Sequence, residues 1–560
     1  MRIGGDQAAD QWIFRGGGRP WAIWDQPGWE TEQPSGEPGA LEMWSYADRF
    51  SYLPGESVHV HSYCTVPSYS LEVVRDGAHP ETVLTLNDVP GGTPDTRDEP
   101  YANGCGWPVA TSFAVDASWR PGLYLLVCTA RSEDGEWIRS DGFIVVRAPA
   151  GKRPKLGLVL TTSTLLAYND WGGANHYRGV RAPDGGDLPS PRSSARRPVA
   201  RGFLRLPPNA PRNNNAVDPP PLSPPRYPNL EWSRLYGYSR CYANAFWAMY
   251  ERPFVAWAEQ AGYDFDYLTQ HDLHFDASAL DEYSGVVIVG HDEYWSWEMR
   301  DRVDAFLDRG GFVARFGGNF LWQVRLVYEG DAQLCWKRAA QDPLWQDPER
   351  RHRATVAWDV TGRSGALTMG LRGEAGVYSR YGTAAPRAAG GLTVYRPDHW
   401  IFAGTGLEYG DQLGGAPSRI ASYEMDGLDY TFRQGLPYPT GGDGATEESH
   451  VILAMTPAAV GEVDRWHGDF PNMAKERSLP RSLGWLADDD AGDVPLSPSM
   501  RYGSGMLAEY NRGIGTVVNT GTSEWVNGLI HRDPFVEQVT HTILDRALVG
   551  PATPASEASD

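Results

Sequence analysis

No apolar run of 18 residues occurs anywhere in the 560-residue chain, so a membrane-spanning helix is not expected. The opening segment, MRIGGDQAADQWIFRGGGRPW, has no apolar core of a secretory signal, and a cytoplasmic location is expected. Cysteine is scarce: Cys64, Cys105, Cys128, Cys241 and Cys335 are scattered without CxxC spacing, and an odd count in a long chain does not read as a disulfide framework. They are read as reduced, with Cys64 opposite Cys128 the one pairing that strand-like runs allow. Runs of Lys and Arg are also missing, and a net charge of −21 repels phosphate backbones, so nucleic acid is not an expected partner. No GxGxxG follows a predicted strand, no G-x-S-x-G sits at a strand end, and no cysteine lies on a strand-to-helix elbow. Dinucleotide, serine-hydrolase and cysteine-amidotransferase chemistries lose their signatures with them.

What is present is ordinary globular composition, 41% apolar and 22% charged, in a chain long enough for two large units. Residues 1–40 read as an irregular Gly-, Pro- and Trp-rich arm. From 41 to 148, short alternating runs such as ESVHVHSYCTV and GFIVVRAP, separated by PG, DG and GG turns, predict an antiparallel, Ig-like β-sandwich of about seven strands. RAPAGKRPK (147–155) reads as a linker. Beyond it strands alternate with helices: KLGLVLTT (155–162), a helix over 243–261, YDFDYLT (263–269), SGVVIVG (284–290), a helix from Ser296, and FVARFG (312–317). The pattern predicts a mainly parallel, Rossmann-like or amidotransferase-like αβα domain over 155–548. A Pro-, Arg- and Asn-rich insertion (184–229), with VDPPPLSPPRYP at its heart, is read as polyproline or mobile chain unable to pair in a sheet. VAWDV, GLTVYR, IASYEM and HVILAM read as further strands, NRGIGTVVNTG (511–521) as a buried strand, 533–548 as a closing helix and 549–560 as a disordered tail.

Ligands of open parallel sheets bind beyond the carboxyl ends of the strands. Three such ends are polar here: AYNDWGGANHY (167–177), GHDEYW (290–295) and GGNFLW (317–322). HDEYW can equally open a helix, its acids complementing the helix dipole. Against that, three ionisable residues leave a buried strand together, and His291 and Glu293 face one side if the chain stays extended.

Together with FAGTGLEYGD (402–411), SYEMDGLD (422–429) and GIGTVVNTGTSEW (513–525), these blocks resemble, in order, the N,N-dimethylformamidase large (beta) subunit family over roughly 155–548. The resemblance implies an amidohydrolase with a mononuclear Fe(III) held by two tyrosines and a glutamate, here Tyr168, Tyr177 and Glu293, with Glu424, Asn319 and His291 as catalytic or supporting residues. Asn175-His176 departs from the small or apolar residues expected before the second tyrosine. Hard ferric iron suits phenolate and carboxylate oxygens, and three such anions neutralise it. The substrate implied is a small or formamide-like amide, Glu424 the general base, and a small subunit a possible partner, as is a second copy of the chain.

Two other readings stand beside this one. Gln270, His271 and His274, with His291 and Glu293, could form a zinc site between neighbouring strands. Alternatively, the 22 tryptophans and the β-sandwich could serve a non-catalytic carbohydrate-binding or scaffold protein, the tryptophans otherwise filling cores.

Overall fold

The computed structural model describes residues 31–181, 187–213, 228–337, 339–378, 390–459 and 502–550. Most of the N-terminal arm, nearly all of VDPPPLSPPRYP and the last ten residues lie outside them. The fold is mixed α/β. Its centre is a nine-stranded sheet in the order Phe265–Thr269, Leu156–Leu160, Gly285–His291, Phe312–Gly318, Gly515–Asn519, Tyr502–Arg512, His450–Ala459, Leu392–Val394, Gln412–Leu413. The first five pair in parallel and the remaining four are added by antiparallel pairing.

Alternation within each central strand builds the two faces. Val287 and Val289 point into one core with Phe254 and Val255 of helix Glu251–Gln260 and Val536, Val539 and Ile543 of helix Pro534–Val549. Val286 and Ile288 point into the other, with Met299, Val303, Phe306 and Leu307 of helix Trp297–Asp308. That helix begins where the sequence places it, capped by the Ser296 hydroxyl accepting from the Met299 amide. Fully apolar strands covered on both faces are what a parallel sheet requires.

The N-terminal residues form one connected seven-stranded sheet, antiparallel except where Ser51–Tyr52 runs parallel to Trp137–Val146. In its strand Gly122–Arg131, Tyr124, Leu126, Cys128 and Ala130 face a local core, while Leu123, Leu125 and Val127 join the core of the α/β part. Ion pairs Arg75–Glu259 (2.7 Å), Arg147–Asp272 (2.8 Å) and Arg252–Asp76 (2.9 Å) rim this contact. The N-terminal sheet is thus packed against the larger sheet by a continuous hydrophobic layer. All five cysteines are buried and unpaired, so Cys64 and Cys128 do not bridge.

Several expectations change. Residues 243–250 are turns rather than helix, which starts only at Glu251, because Phe246 takes a left-handed backbone (φ 72°) that interrupts helical bonding. Part of the Pro-rich insertion does pair: Arg192–Ser194 lies antiparallel to Ala332–Leu334, and Asp187–Leu188 to Val180–Arg181, these stretches lacking the proline density of the segment after them. The run 511–521 is the turn and return strand of a hairpin, Tyr502–Arg512 to Gly515–Asn519, and VAWDV enters a 3-10 turn, Trp358–Thr361. Among the described tryptophans Trp137 alone is exposed, and Trp171, Trp247, Trp295, Trp322, Trp358 and Trp525 are fully buried. Core filling accounts for them, and sugar recognition by a tryptophan surface gains no support. Among the described residues no helix is long and apolar enough to cross a membrane.

Candidate active site

The strand Leu156–Leu160 has the next strand of its own sheet, Phe265–Thr269, on one side and Gly285–His291 on the other. This reversal of order opens a crevice at the carboxyl ends. Each polar loop noted in the sequence reaches it. Tyr168 closes the helix Thr162–Tyr168 that follows the first strand. The loop beyond is tied by Asn175, whose amide nitrogen donates to the Tyr168 carbonyl (2.9 Å) and whose oxygen accepts from the amides of Tyr177 (2.9 Å) and Arg178 (3.1 Å). His176 Nδ1 contacts the Ser190 carbonyl at 2.7 Å. The two residues that depart from the family pattern are therefore absorbed by backbone, and the second tyrosine still reaches the crevice.

The N-terminal sheet buttresses the same loop. Trp171 packs edge-on against Trp44 and Trp107, and Gly172 (φ 86°) passes so close to Pro100 that a Cβ would lie 2.9 Å from its ring.

His291 ends its strand fully buried, and its Nδ1 donates to the Asn244 carbonyl (2.6 Å). That bond is what the irregular 243–250 segment supplies. The ring's Nε2 then faces Glu424 Oε2 at 2.6 Å and Glu293 Oε2 at 3.5 Å. Asn319, held in a left-handed backbone (φ 67°), donates from Nδ2 to Glu424 Oε2 (2.8 Å) and lies 3.0 Å from His291 Nε2. Glu424 can approach because Gly318 has no side chain: a Cβ there would sit 2.6 Å from the Glu424 carbonyl oxygen.

Glu293 is the hub. Its Oε2 accepts from Tyr168 (2.9 Å) and Tyr177 (2.9 Å), and its Oε1 from Tyr177 (3.0 Å) and the Trp322 indole (2.8 Å). The phenol oxygens of Tyr168 and Tyr177 are 2.7 Å apart. All six residues singled out in the sequence therefore meet in one cluster, five of them buried and Tyr177 half-buried. Asp292 and Glu293 serve no helix: Ser296 caps that one, Asp292 turns inward to Arg315, and Glu293 turns to the tyrosines.

Burial, then the neighbouring carboxylate Glu293, pushes the Tyr168 and Tyr177 phenols well above their usual range. Burial also raises Glu293, against the lowering pull of His291. For His291, burial opposes the charge but Glu424 and Glu293 outweigh it and lift the imidazole to about 9. In the protein alone the phenols thus stay protonated and donate to Glu293. Only a cation at their common point would ionise them.

Among the described residues, His291, Glu293 and Glu424 offer ligand atoms within 4.8 Å of one another, the one such grouping of histidine, cysteine and acidic residues found. Gln270, His271 and His274 do not join it. Gln270 bonds Asp292, the Tyr294 carbonyl and the Ser163 amide; His271 meets Thr162 (3.1 Å) and His274 meets Ser296 (2.7 Å). They sit on the short helix Gln270–Phe275, whose side chains are spent on packing and capping.

Three contributors escape the sequence. Tyr294 donates to the Tyr177 hydroxyl (2.7 Å), Lys337 sets its ammonium 3.1 Å from the centroid of the Tyr177 ring, and Trp322 holds Glu293. Tyr294 and Trp322 lie inside the quoted motifs and could have been found there. Lys337, in LCWKRAAQ, carries no signal of spacing or pattern.

A family profile described as N,N-dimethylformamidase beta subunit-like, C-terminal, matches residues 71–537. The match begins within the N-terminal sheet, well before residue 155, in keeping with the buttress that this sheet provides. A curated relative, the N,N-dimethylformamidase beta subunit of Paracoccus aminophilus, is 25% identical over 178 residues, 31% of this chain. The matched stretch spans about a fifth of that relative's length (21%).

Proposed function

The chain belongs to the N,N-dimethylformamidase beta subunit-like family, and on that premise we propose that it is a metal-dependent hydrolase of the C–N bond in small, formamide-like amides. The observation that carries the reading is the meeting of Tyr168, Tyr177 and Glu293 oxygens within 3.0 Å, faced by His291 and Glu424 at the carboxyl ends of parallel strands. That placement also supports a Rossmann-like reading of the α/β part, and the N-terminal sheet, whose long strand Ser57–Asp76 pairs with four others, supports a sandwich.

The donor set fits a hard trivalent ion. All three donors are oxygens, each can become an anion, and their summed charge of three matches ferric iron. Tyr168, Tyr177 and Glu293 would hold it, and when bound it supplies Lewis acidity that polarises the amide carbonyl and acidifies water. The rest falls to the chain. Glu424 accepts the proton of the attacking water as the C–O bond forms, and returns it to nitrogen as the C–N bond breaks, releasing a carboxylate and an amine. His291 Nε2, 2.6 Å away, steadies the carboxylate through that exchange, and the Asn319 amide orients the substrate oxygen. Trp322 and Leu321, both buried in the same core as Tyr168 and Tyr294, limit water in the crevice.

A second reading of the same site rests on His291, Glu293 and Glu424 as ligands, an N,O,O set that zinc would accept. Colour separates the two, since only tyrosinate bound to iron absorbs visible light. A small partner subunit is part of the proposal, because the curated relative is itself named a beta subunit. The test is release of amine from a panel of formamides and acetamides by the iron-loaded protein, with and without Glu424→Gln. Turnover that vanishes in the variant supports the reading. Equal rates in both, or no turnover by iron-loaded protein with any amide, would overturn it.

A further inference from the structure

Tyr168 and Tyr177 present the same phenol to the same carboxylate, yet their surroundings differ. Tyr168 Oη meets Tyr177 Oη and Glu293, and its ring lies 5.4 Å from the His291 ring and 6.4 Å from that of Tyr294, centroid to centroid. Tyr177 has two further contacts. Its oxygen accepts a hydrogen bond from the Tyr294 hydroxyl at 2.7 Å, and the Lys337 ammonium stands 3.1 Å from its ring centroid. The same ammonium lies 5.2 Å and 5.3 Å from the ring centroids of Trp322 and Tyr294, so an aromatic cage fixes it there. Lys337 reaches this position from a left-handed backbone (φ 61°) that favours glycine, which argues that the placement is imposed by its surroundings.

Both contacts draw electron density from Tyr177. A donor at the oxygen stabilises its lone pairs, and a cation on the ring face stabilises its π electrons. We propose that the two tyrosines are unequal by construction: Tyr294 and Lys337 make Tyr177 the weaker electron donor of the pair, leaving Tyr168 the stronger. The inference deepens the proposed function and rests on its reading of both phenols as ligands of a ferric ion. An ion held by one strong and one weakened phenolate is more electron-poor than one held by two strong ones, and polarises a carbonyl more. Tyr294 is then a positioning residue that acts through Tyr177.

The test is the visible absorption of ferric-loaded protein, a readout independent of turnover. Light absorbed by an iron tyrosinate moves an electron from ring to metal, so the weaker donor absorbs at shorter wavelength. Tyr168→Phe, which leaves Tyr177 as donor, is expected to absorb at shorter wavelength than Tyr177→Phe. Tyr294→Phe, which keeps all three ligands, is expected to move the band to longer wavelength, as is Lys337→Met. Coincident maxima in the two ligand variants, or an unmoved band in Tyr294→Phe, would overturn the inequality while leaving the metal site standing. Where a ligand variant takes up no iron, Tyr294→Phe decides alone. A wild-type protein that binds iron without any such band would overturn both the inequality and the tyrosinate reading.

Discussion

Two clusters of buried ionisable groups lie side by side at the ends of the parallel strands, and they are made of different protons. In one, Arg315 reaches Asp292 (3.0 Å) and Asp426 (2.5 Å), all three fully buried, and Asp426 in turn accepts the Phe320 amide (2.9 Å). In the other, Glu293 and Glu424 are bridged by phenols, an imidazole and a carboxamide. A guanidinium cannot give up its proton in a protein, so the Arg315 cluster is complete as built. Burial weakens the Arg315 charge, but Asp426 and Asp292 more than restore it. Phenols and imidazole are weak acids whose protons can be displaced by a cation or passed to a substrate. The first cluster pins the segments that carry His291, Glu293, Asn319 and Glu424; the second is where chemistry can occur.

Glu424→Gln should lower turnover by about 10²–10⁴-fold in a steady-state amide assay, the range of a lost general base, with a small change in stability. Arg315→Met should do the reverse in kind: stranding two buried carboxylates costs about 3–5 kcal/mol, read by urea unfolding. If Arg315→Met proves as stable as wild type, the cluster is not the pin described.

Titration sharpens the difference further. His291 is raised from 6.5 to about 9, so its contribution to stability is complete below pH 6.5 and is lost as pH rises through 9. Lys337, lowered by burial to about 8, acts in the opposite sense above that pH. The metal-free protein, unfolded by urea at several pH values, should therefore lose stability between pH 6.5 and 8, and lose less of it in His291→Gln, where only buried acids such as Glu251, raised to about 7, still contribute. The smallest expected effect belongs to His274→Ala, which removes one hydrogen bond to Ser296, costs about 1 kcal/mol, and leaves metal uptake measured by mass spectrometry unchanged. Loss of metal there would reinstate the His271–His274 pair as ligands.

The elements that follow from local patterning were legible in the sequence. Apolar runs marked Leu156–Leu160, Gly285–His291 and Phe312–Gly318, and a cap with Gly310-Gly311 bracketed the helix Trp297–Asp308. The failures have a common cause in tertiary demand. Residues 243–250 have a helical composition, but the chain spends the Asn244 carbonyl on His291 instead of on a helix. The hairpin turn at Gly513-Ile514 was hidden in a continuous apolar reading. At the site, no periodicity could have selected two tyrosines among 27. Motif resemblance placed them, and the fold brings them to Glu293. Lys337 stayed hidden because its role depends on a backbone turn and three aromatic rings distant in sequence.

In the function proposed above, the phenols of Tyr168 and Tyr177 and the carboxylate of Glu293 hold a ferric ion. Metal content of the purified protein, measured by mass spectrometry on wild type and on Glu293→Ala, tests it most directly. About one iron per chain is expected in wild type, as for a mononuclear site, and essentially none in the variant. Iron retained in full by Glu293→Ala, or a wild-type protein that takes up zinc and refuses iron, would contradict it.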